Sequence, residues 1–269
     1  MALPDFLIVG AMKAGTTTLY RDLMLHPDIF MPEHKEPETL VHQTDRESIM
    51  REYQILFPRS AARKIKGEAS TAYTKRPQFE GVAARAHMLT GGHLRIIYMR
   101  RDPIERIVSH YKHWVQQKRI AVPISEAIRD YPELMHYSRY DWQIEPWKIA
   151  FGNEAVLEIN LAEYSAARKA HVSKALTHIG ANPDRMPAID ESMIANSEIE
   201  MKHIDSKIVD FFIRSHFFSR RIKPHVPRSW RERGRRALLP KPKVVDASLS
   251  EADVAFIENA LLSNTTGFA

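Results

Sequence analysis

Two glycines five residues apart, Gly10 and Gly15, enclose Lys13 and Ala14 and lead directly into Thr16, Thr17 and Thr18. At this spacing a loop turns its backbone N–H groups inward and opens onto a helix N-terminus, a combination that grips phosphate. In the nucleotide-binding loop G-x-x-x-x-G-K-[ST] the lysine follows the second glycine. Here Thr16 fills that position and the lysine lies inside the loop. The residues read as a phosphate cradle with a displaced cation.

A second group lies near position 100. Arg100 and Arg101 precede Asp102-Pro103, and Glu105 stands three residues after Asp102. Asp102 reads as an N-cap, Pro103 as the first helical residue and Glu105 as the return arm of a capping box. Two arginines beside a helix N-terminus suit a second phosphate group. Ser109, two turns further on, adds a hydroxyl for a ligand lying along that helix. A magnesium-dependent NTPase needs an acid at the end of its second apolar strand. This chain offers two arginines there before any acid, and Asp102 is taken as the cap.

The elements that must position these residues alternate. Phe6–Val9 and Leu94–Met99 are predicted as buried strands, Ala155–Ile159 as another, and Lys64–Gly67 as a short edge strand. Helices are predicted over Thr16–Leu25, residues 46–56, from Asp102 onward, Glu163–Ile179, Val209–Phe218 and Glu251–Leu262. Strands separated by helices imply a three-layer α/β/α fold around a parallel sheet, with ligands bound beyond the strands' carboxyl ends.

With 269 residues and 44% hydrophobic content, the chain is expected to form a single domain over 1–269. No apolar run reaches the roughly 18 to 20 residues of a membrane helix, and the N-terminal apolar stretch reads as a strand rather than a signal peptide. The absence of cysteine excludes disulfides, thiolate metal sites and a cysteine nucleophile, and fits a cytoplasmic setting. The net charge of +6 is local: residues 219–243 hold ten Lys and Arg against Glu232 alone, leaving 29 basic and 32 acidic residues elsewhere. A concentrated patch points to a strongly anionic partner or to a solvated charge run.

Together the motifs resemble the sulfotransferases that use 3′-phosphoadenosine 5′-phosphosulfate, nearest to the branch acting on heparan sulfate and related glycans. GAMKAGTTTLY is similar to that family's G-x-x-K-x-G-T-[ST]-x-L, and RRDPIERIVSHY to its R-[DN]-P-x-x-R-x-x-S-x-Y. Between them, HPDIFMPEHKEPETL is similar to its HP followed by K-E-P, and GEASTAYT to its G-E-x-x-x-x-Y element.

The resemblance implies a fold related to P-loop kinases and a sulfuryl transfer that requires no metal and leaves adenosine 3′,5′-bisphosphate. It implies that Lys13, Ala14, Gly15, Thr16, Thr17 and Thr18 hold the 5′-phosphosulfate, with Lys13 neutralising charge on the leaving phosphate oxygen. Arg101 and Ser109 would hold the 3′-phosphate, and Arg233, Gly234 and Arg235, in the basic run, would close over the donor. Glu36 is implied as general base, with His34 as its rival, and Lys35, Glu68 and Tyr73 as acceptor contacts. Ala69 stands where glycan enzymes often carry a lysine.

The expected acceptor is a hydroxyl or amine of a glycan, glycolipid or small molecule, for a bacterial cytoplasmic enzyme. Two other readings stay open. One is a magnesium-ATP small-molecule kinase, and the other is a nucleic-acid binder using residues 219–243, whose binding would weaken steeply with salt.

Overall fold

The structure, a computed structural model, describes residues 3–62, 64–190 and 245–262. By internal contacts the chain divides into two compact units, Met1–Ala195 with Asp246–Ala269, and Asn196–Val245. The fold described is that of the first.

In chain order the strands are β1 (Phe6–Gly10), β2 (Ile29–Phe30), β3 (Ile65–Ala69), β4 (Arg95–Arg100) and β5 (Val156–Asn160). The helices are α1 (Thr16–Leu23), α2 (Thr39–His42), α3 (Arg46–Leu56), α4 (Val82–Thr90), α5 (Pro103–Gln116), α6 (Ile124–Asp130), α7 (Glu133–His136), α8 (Tyr140–Phe151), α9 (Leu161–Ala166), α10 (Arg168–His178) and α11 (Glu251–Leu262). The strands form one sheet in the order β2-β3-β1-β4-β5, and every neighbouring pair is parallel.

Phe6 to Val9 and Ile96 to Met99 are all 0% exposed. Parallel strands covered on both faces require such unbroken apolar runs, which is why these two stood out in the sequence. The covering helices fall into two groups: α1 packs on α10 and α10 on α9, while α2, α3 and α4 pack together and α4 meets α8. This is the expected three-layer arrangement. Because the chain builds β2 and β3 on one side of β1 and β4 and β5 on the other, the crevice at the carboxyl end of β1 is the topological switch point.

Three local expectations are corrected. The strand expected over Lys64–Gly67 spans Ile65–Ala69 and lies inside the sheet, because the two-residue β2 takes the edge position. The single helix expected over Glu163–Ile179 is broken at Ala167, whose φ of −139° lies outside the helical range, so that α9 and α10 form separately. The capping box after β4 is half formed. Asp102 Oδ1 accepts from the Glu105 N–H at 2.9 Å, but the Glu105 carboxylate turns to Arg101 Nε at 3.1 Å. The helix expected over Val209–Phe218 lies outside the described residues.

A buried ion pair fastens α1 to α10. Arg168 donates through Nε to Asp22 Oδ2 at 2.9 Å and through Nη2 to Oδ1 at 2.6 Å, a planar fork that matches the carboxylate. The Tyr164 hydroxyl donates to the same carboxylate, and the two ionic side chains are only 8% and 3% exposed. Replacing Arg168 by Leu strands a buried charge. The expected loss is about 3–5 kcal/mol of unfolding free energy, read as a lower urea midpoint with unchanged slope.

Candidate active site

The cradle forms where β1 ends and α1 begins. Gly10 closes β1 in tight surroundings: a Cβ there would lie 2.0 Å from Thr74 Oγ1 and 3.0 Å from the Tyr98 ring. Thr74 uses that space to donate to the Val9 carbonyl at 2.7 Å. The Ala11 N–H donates to the Met99 carbonyl at 2.8 Å, tying the loop to β4. Gly15, with φ +87°, is the N-cap of α1 and supplies no side-chain cap, and the first turn carries no acid. The opening N–H groups of α1 and its positive dipole end therefore suit an anion.

The six cradle residues Lys13, Ala14, Gly15, Thr16, Thr17 and Thr18 are brought together at this helix start, with Ala14, Thr16 and Thr18 buried. Lys13 adopts a left-handed φ of +68°. Burial first, and then the charges of Arg101 and Arg106, hold its ammonium below the ordinary lysine value.

At the end of β4 the two arginines separate. Arg100 pairs with Glu158 at 2.8 Å and Asp141 at 3.1 Å, while Lys148 shares Glu158 at 2.6 Å. Its charge is thus engaged on the β5 side, which corrects the expectation that both arginines serve a phosphate. Among the described residues Arg101 pairs with the exposed Glu105, and its N–H donates to the Tyr140 hydroxyl at 3.4 Å. Ser109 is half-buried on α5. Arg233, Gly234 and Arg235 lie outside the described residues.

One charged residue beneath the site escaped the sequence reading. Arg106 is 0% exposed and donates to Ser138 Oγ and to the Leu134 carbonyl, each at 2.5 Å, and its Nη1 lies 3.4 Å from His110 Nδ1. Burial pulls its guanidinium down to about 10 against the opposing influence of Tyr140, Tyr98 and Tyr137. The signal was present in the motif itself, since Arg106, Ile107, His110 and Tyr111 make the buried stripe of α5.

The loop before α2 faces the cradle's side of the sheet. The Glu36 N–H donates to the Ala69 carbonyl at 2.9 Å, which anchors Glu36 at the carboxyl end of β3, beside β1. Its Oε1 accepts from Lys35 Nζ at 2.5 Å and its Oε2 from Thr71 Oγ1 at 3.2 Å. Burial opposes ionisation, but Lys35, Lys75 and the Thr71 hydroxyl outweigh it and hold the carboxyl below the usual glutamate range. His34 is exposed. Glu68 and Tyr73 do not line a cleft as expected: they are 0% and 2% exposed, because both side chains turn into the core and bond to each other. Tyr140 and Trp147 are core residues, and Trp142 lies under the Arg76 and Arg139 guanidinium groups. Among the described residues no helix is long and apolar enough to cross a membrane.

Comparison with known proteins gives a consistent result. Residues 3–193 match the family model described as "Sulfotransferase domain". The crystal structure of a sulfotransferase from Alicyclobacillus acidocaldarius is similar at 28% identity with a TM-score of 0.60, over 72% of this chain and 86% of that one. A curated relative, the membrane-associated sulfotransferase kil1 of Dictyostelium discoideum, is 29% identical over 119 residues, or 43% of this chain. The matched stretch spans only 24% of that relative's length.

The cradle geometry makes one substitution decisive. Gly15→Ala places a β-carbon at positive φ and 2.5 Å from Leu161 Cδ1. The expected cost is about 1–3 kcal/mol of stability together with loss of anion binding at the helix start, read by thermal melting and by titration with adenosine 3′,5′-bisphosphate.

Proposed function

Given that the chain belongs to the sulfotransferase domain family, we propose that it transfers a sulfuryl group from 3′-phosphoadenosine 5′-phosphosulfate to a hydroxyl or amine of a glycan, glycolipid or small-molecule acceptor. The observation that carries this reading is that a carboxylate and a cation stand on adjacent strand ends. Glu36 is bonded to the last residue of β3, and Lys13 sits in the loop after β1, which pairs with β3.

The fit to the donor rests on the cradle. A β-carbon at Gly10 would collide with Thr74 and one at Gly15 with Leu161, so the loop takes this shape only with glycine there, and the uncapped start of α1 suits a phosphate-like anion. Bound there, the donor supplies an activated sulfuryl group on a phosphate leaving group. Lys13, with the amides and hydroxyls of residues 14 to 18, neutralises charge at the leaving oxygen. Arg101, just before α5, with Ser109 on that helix, takes the 3′-phosphate by exchanging its exposed partner Glu105 for a stronger anion. Glu36 accepts the acceptor's proton, its carboxylate kept ionised by Lys35, Lys75 and Thr71. The half-buried Lys35 holds Glu36 and borders the acceptor. His34, exposed, is the weaker candidate for the base.

The kinase reading is disfavoured by charge: Arg100 and Arg101 stand where a metal-holding acid would follow β4, and Asp102 caps α5. Calorimetry decides between them. Adenosine 3′,5′-bisphosphate is expected to bind without metal, whereas binding of magnesium-ATP alone overturns the proposal. A panel of glycans, glycolipids and phenols with radiolabelled donor then identifies the acceptor class.

Lys13→Ala and Glu36→Gln are each expected to lower kcat by about 10²–10⁴ with the fold intact by circular dichroism. The pH profile of kcat/KM follows from the two shifts. Activity needs ionised Glu36 and is lost on the acid side only below the ordinary glutamate value of about 4.3. It needs protonated Lys13 and is lost on the alkaline side before the ordinary lysine value of about 10.4.

A further inference from the structure

The short 3₁₀ turn Thr71–Thr74 touches both halves of the site. On one side Thr74 Oγ1 donates to the Val9 carbonyl at 2.7 Å, under Gly10 of the cradle. On the other, Thr71 Oγ1 donates to Glu36 Oε2 at 3.2 Å, and the preceding Ser70 Oγ accepts from the Glu38 N–H at 3.0 Å.

Between these contacts Tyr73 enters the core. Its hydroxyl donates to Glu68 Oε1 and accepts from the Leu40 N–H at 3.2 Å, and its carbonyl accepts from Trp147 Nε1 at 3.3 Å. Glu68 Oε1 also accepts from the Tyr53 hydroxyl at 3.1 Å. Its Oε2 is buried with no hydrogen-bond partner among the described residues.

A buried carboxylate with one unmet oxygen is costly. A proton on Oε2 removes the charge and keeps both bonds to Oε1.

We propose that Glu68 is a positioning residue for the transfer: by holding Tyr73 it fixes the turn that sets the Glu36 carboxylate and the floor of the cradle at one spacing. The inference rests on the reading of Glu36 as the base. Small misplacements of reacting groups are expensive, so a peg behind this turn acts on rate more than on donor affinity.

The surroundings of Glu68 favour its neutral form. Tyr53 and Glu52 come from α3, Glu38 precedes α2, Tyr73 comes from the turn, and Arg85 of α4 donates to the Leu40 carbonyl at 2.8 Å. Burial raises the Glu68 carboxyl to about 7, the two tyrosine hydroxyls oppose this, and Glu52 and Glu38 add to it. Since this value lies above that of the unfolded chain, the stability contributed by the neutral form is fully present below about 4.3 and is lost as pH rises through about 7. Above neutrality the buried charge on Oε2 forces the core behind the turn to open toward water, which shifts the turn and gives kcat a falling inflection near pH 7.

The test compares Tyr73→Phe, Glu68→Gln and Glu68→Leu, with Glu36→Gln in parallel. Turnover of radiolabelled donor is measured with the most rapidly sulfated acceptor of the panel, or with water alone if none reacts. Tyr73→Phe keeps the ring and removes the link, and is expected to lower kcat about ten- to a hundredfold, with donor KM and bisphosphate affinity nearly unchanged. Glu68→Gln keeps an acceptor oxygen and cannot ionise. It is expected to retain most of kcat and to lose the inflection near pH 7, while Glu68→Leu behaves like Tyr73→Phe or fails to fold.

Unchanged kcat in Tyr73→Phe, or an inflection that persists in Glu68→Gln, overturns the inference. If Glu36→Gln is inactive while Tyr73→Phe is normal, the positioning role alone falls. If Glu36→Gln turns over normally, the base reading falls and the positioning role falls with it.

Discussion

The carbonyl of Val9 accepts from the Thr74 side chain, and the site is built around that bond. The Thr74 hydroxyl reaches it only because Gly10 has no β-carbon. One short contact thus locks the loop after β3 to the floor of the loop after β1. The cradle, the carboxylate at Glu36 and the sheet register beneath them share a single reference point. Parallel strands end their ladders together at the carboxyl edge, so backbone groups there must find partners of another kind.

Charge is sorted around this point with little waste. Arg100 is engaged by Glu158 and Asp141 on the β5 side, and Arg168 is consumed by Asp22 behind α1. Arg106 is buried on neutral partners, Ser138, the Leu134 carbonyl and His110, so its charge is undiminished by a carboxylate among the contacts described. Undiminished, it acts on Lys13 across a medium that screens poorly. Glu36 lies in the complementary field, with Lys35 and Lys75 as its nearest cations. The result is a cationic floor for a polyanion and an ionised carboxylate beside it.

How much of this could be read from the chain depended on sequence distance. The cradle, β1, β4 and the Asp102 cap are local devices, written within a few residues, and the structure forms them at the places expected. The edge position of β2 was not legible, since two residues carry no periodicity. Nor was the burial of Glu68 and Tyr73, which turns on Tyr53 and Leu40 arriving from other elements. Arg106 was hidden for a different reason. An arginine in a phosphate-binding motif is read as exposed to ligand, whereas its partners, 28 and 32 residues away, draw it inward. The roles of residues 219–243 rest on sequence alone.

The two halves of the site are fastened with unequal strength. Behind the cradle stands the buried Asp22–Arg168 fork with Tyr164, while the His34–Glu38 segment is bound to β3 and its turn by the Glu36 and Glu38 amides. Those amide bonds use backbone and Ser70, not the side chains of the segment. Residues 33, 34 and 37 are therefore the natural ground for diversification. A library there changes what is presented to the acceptor while leaving the anion-gripping block and its clamp as an invariant chassis.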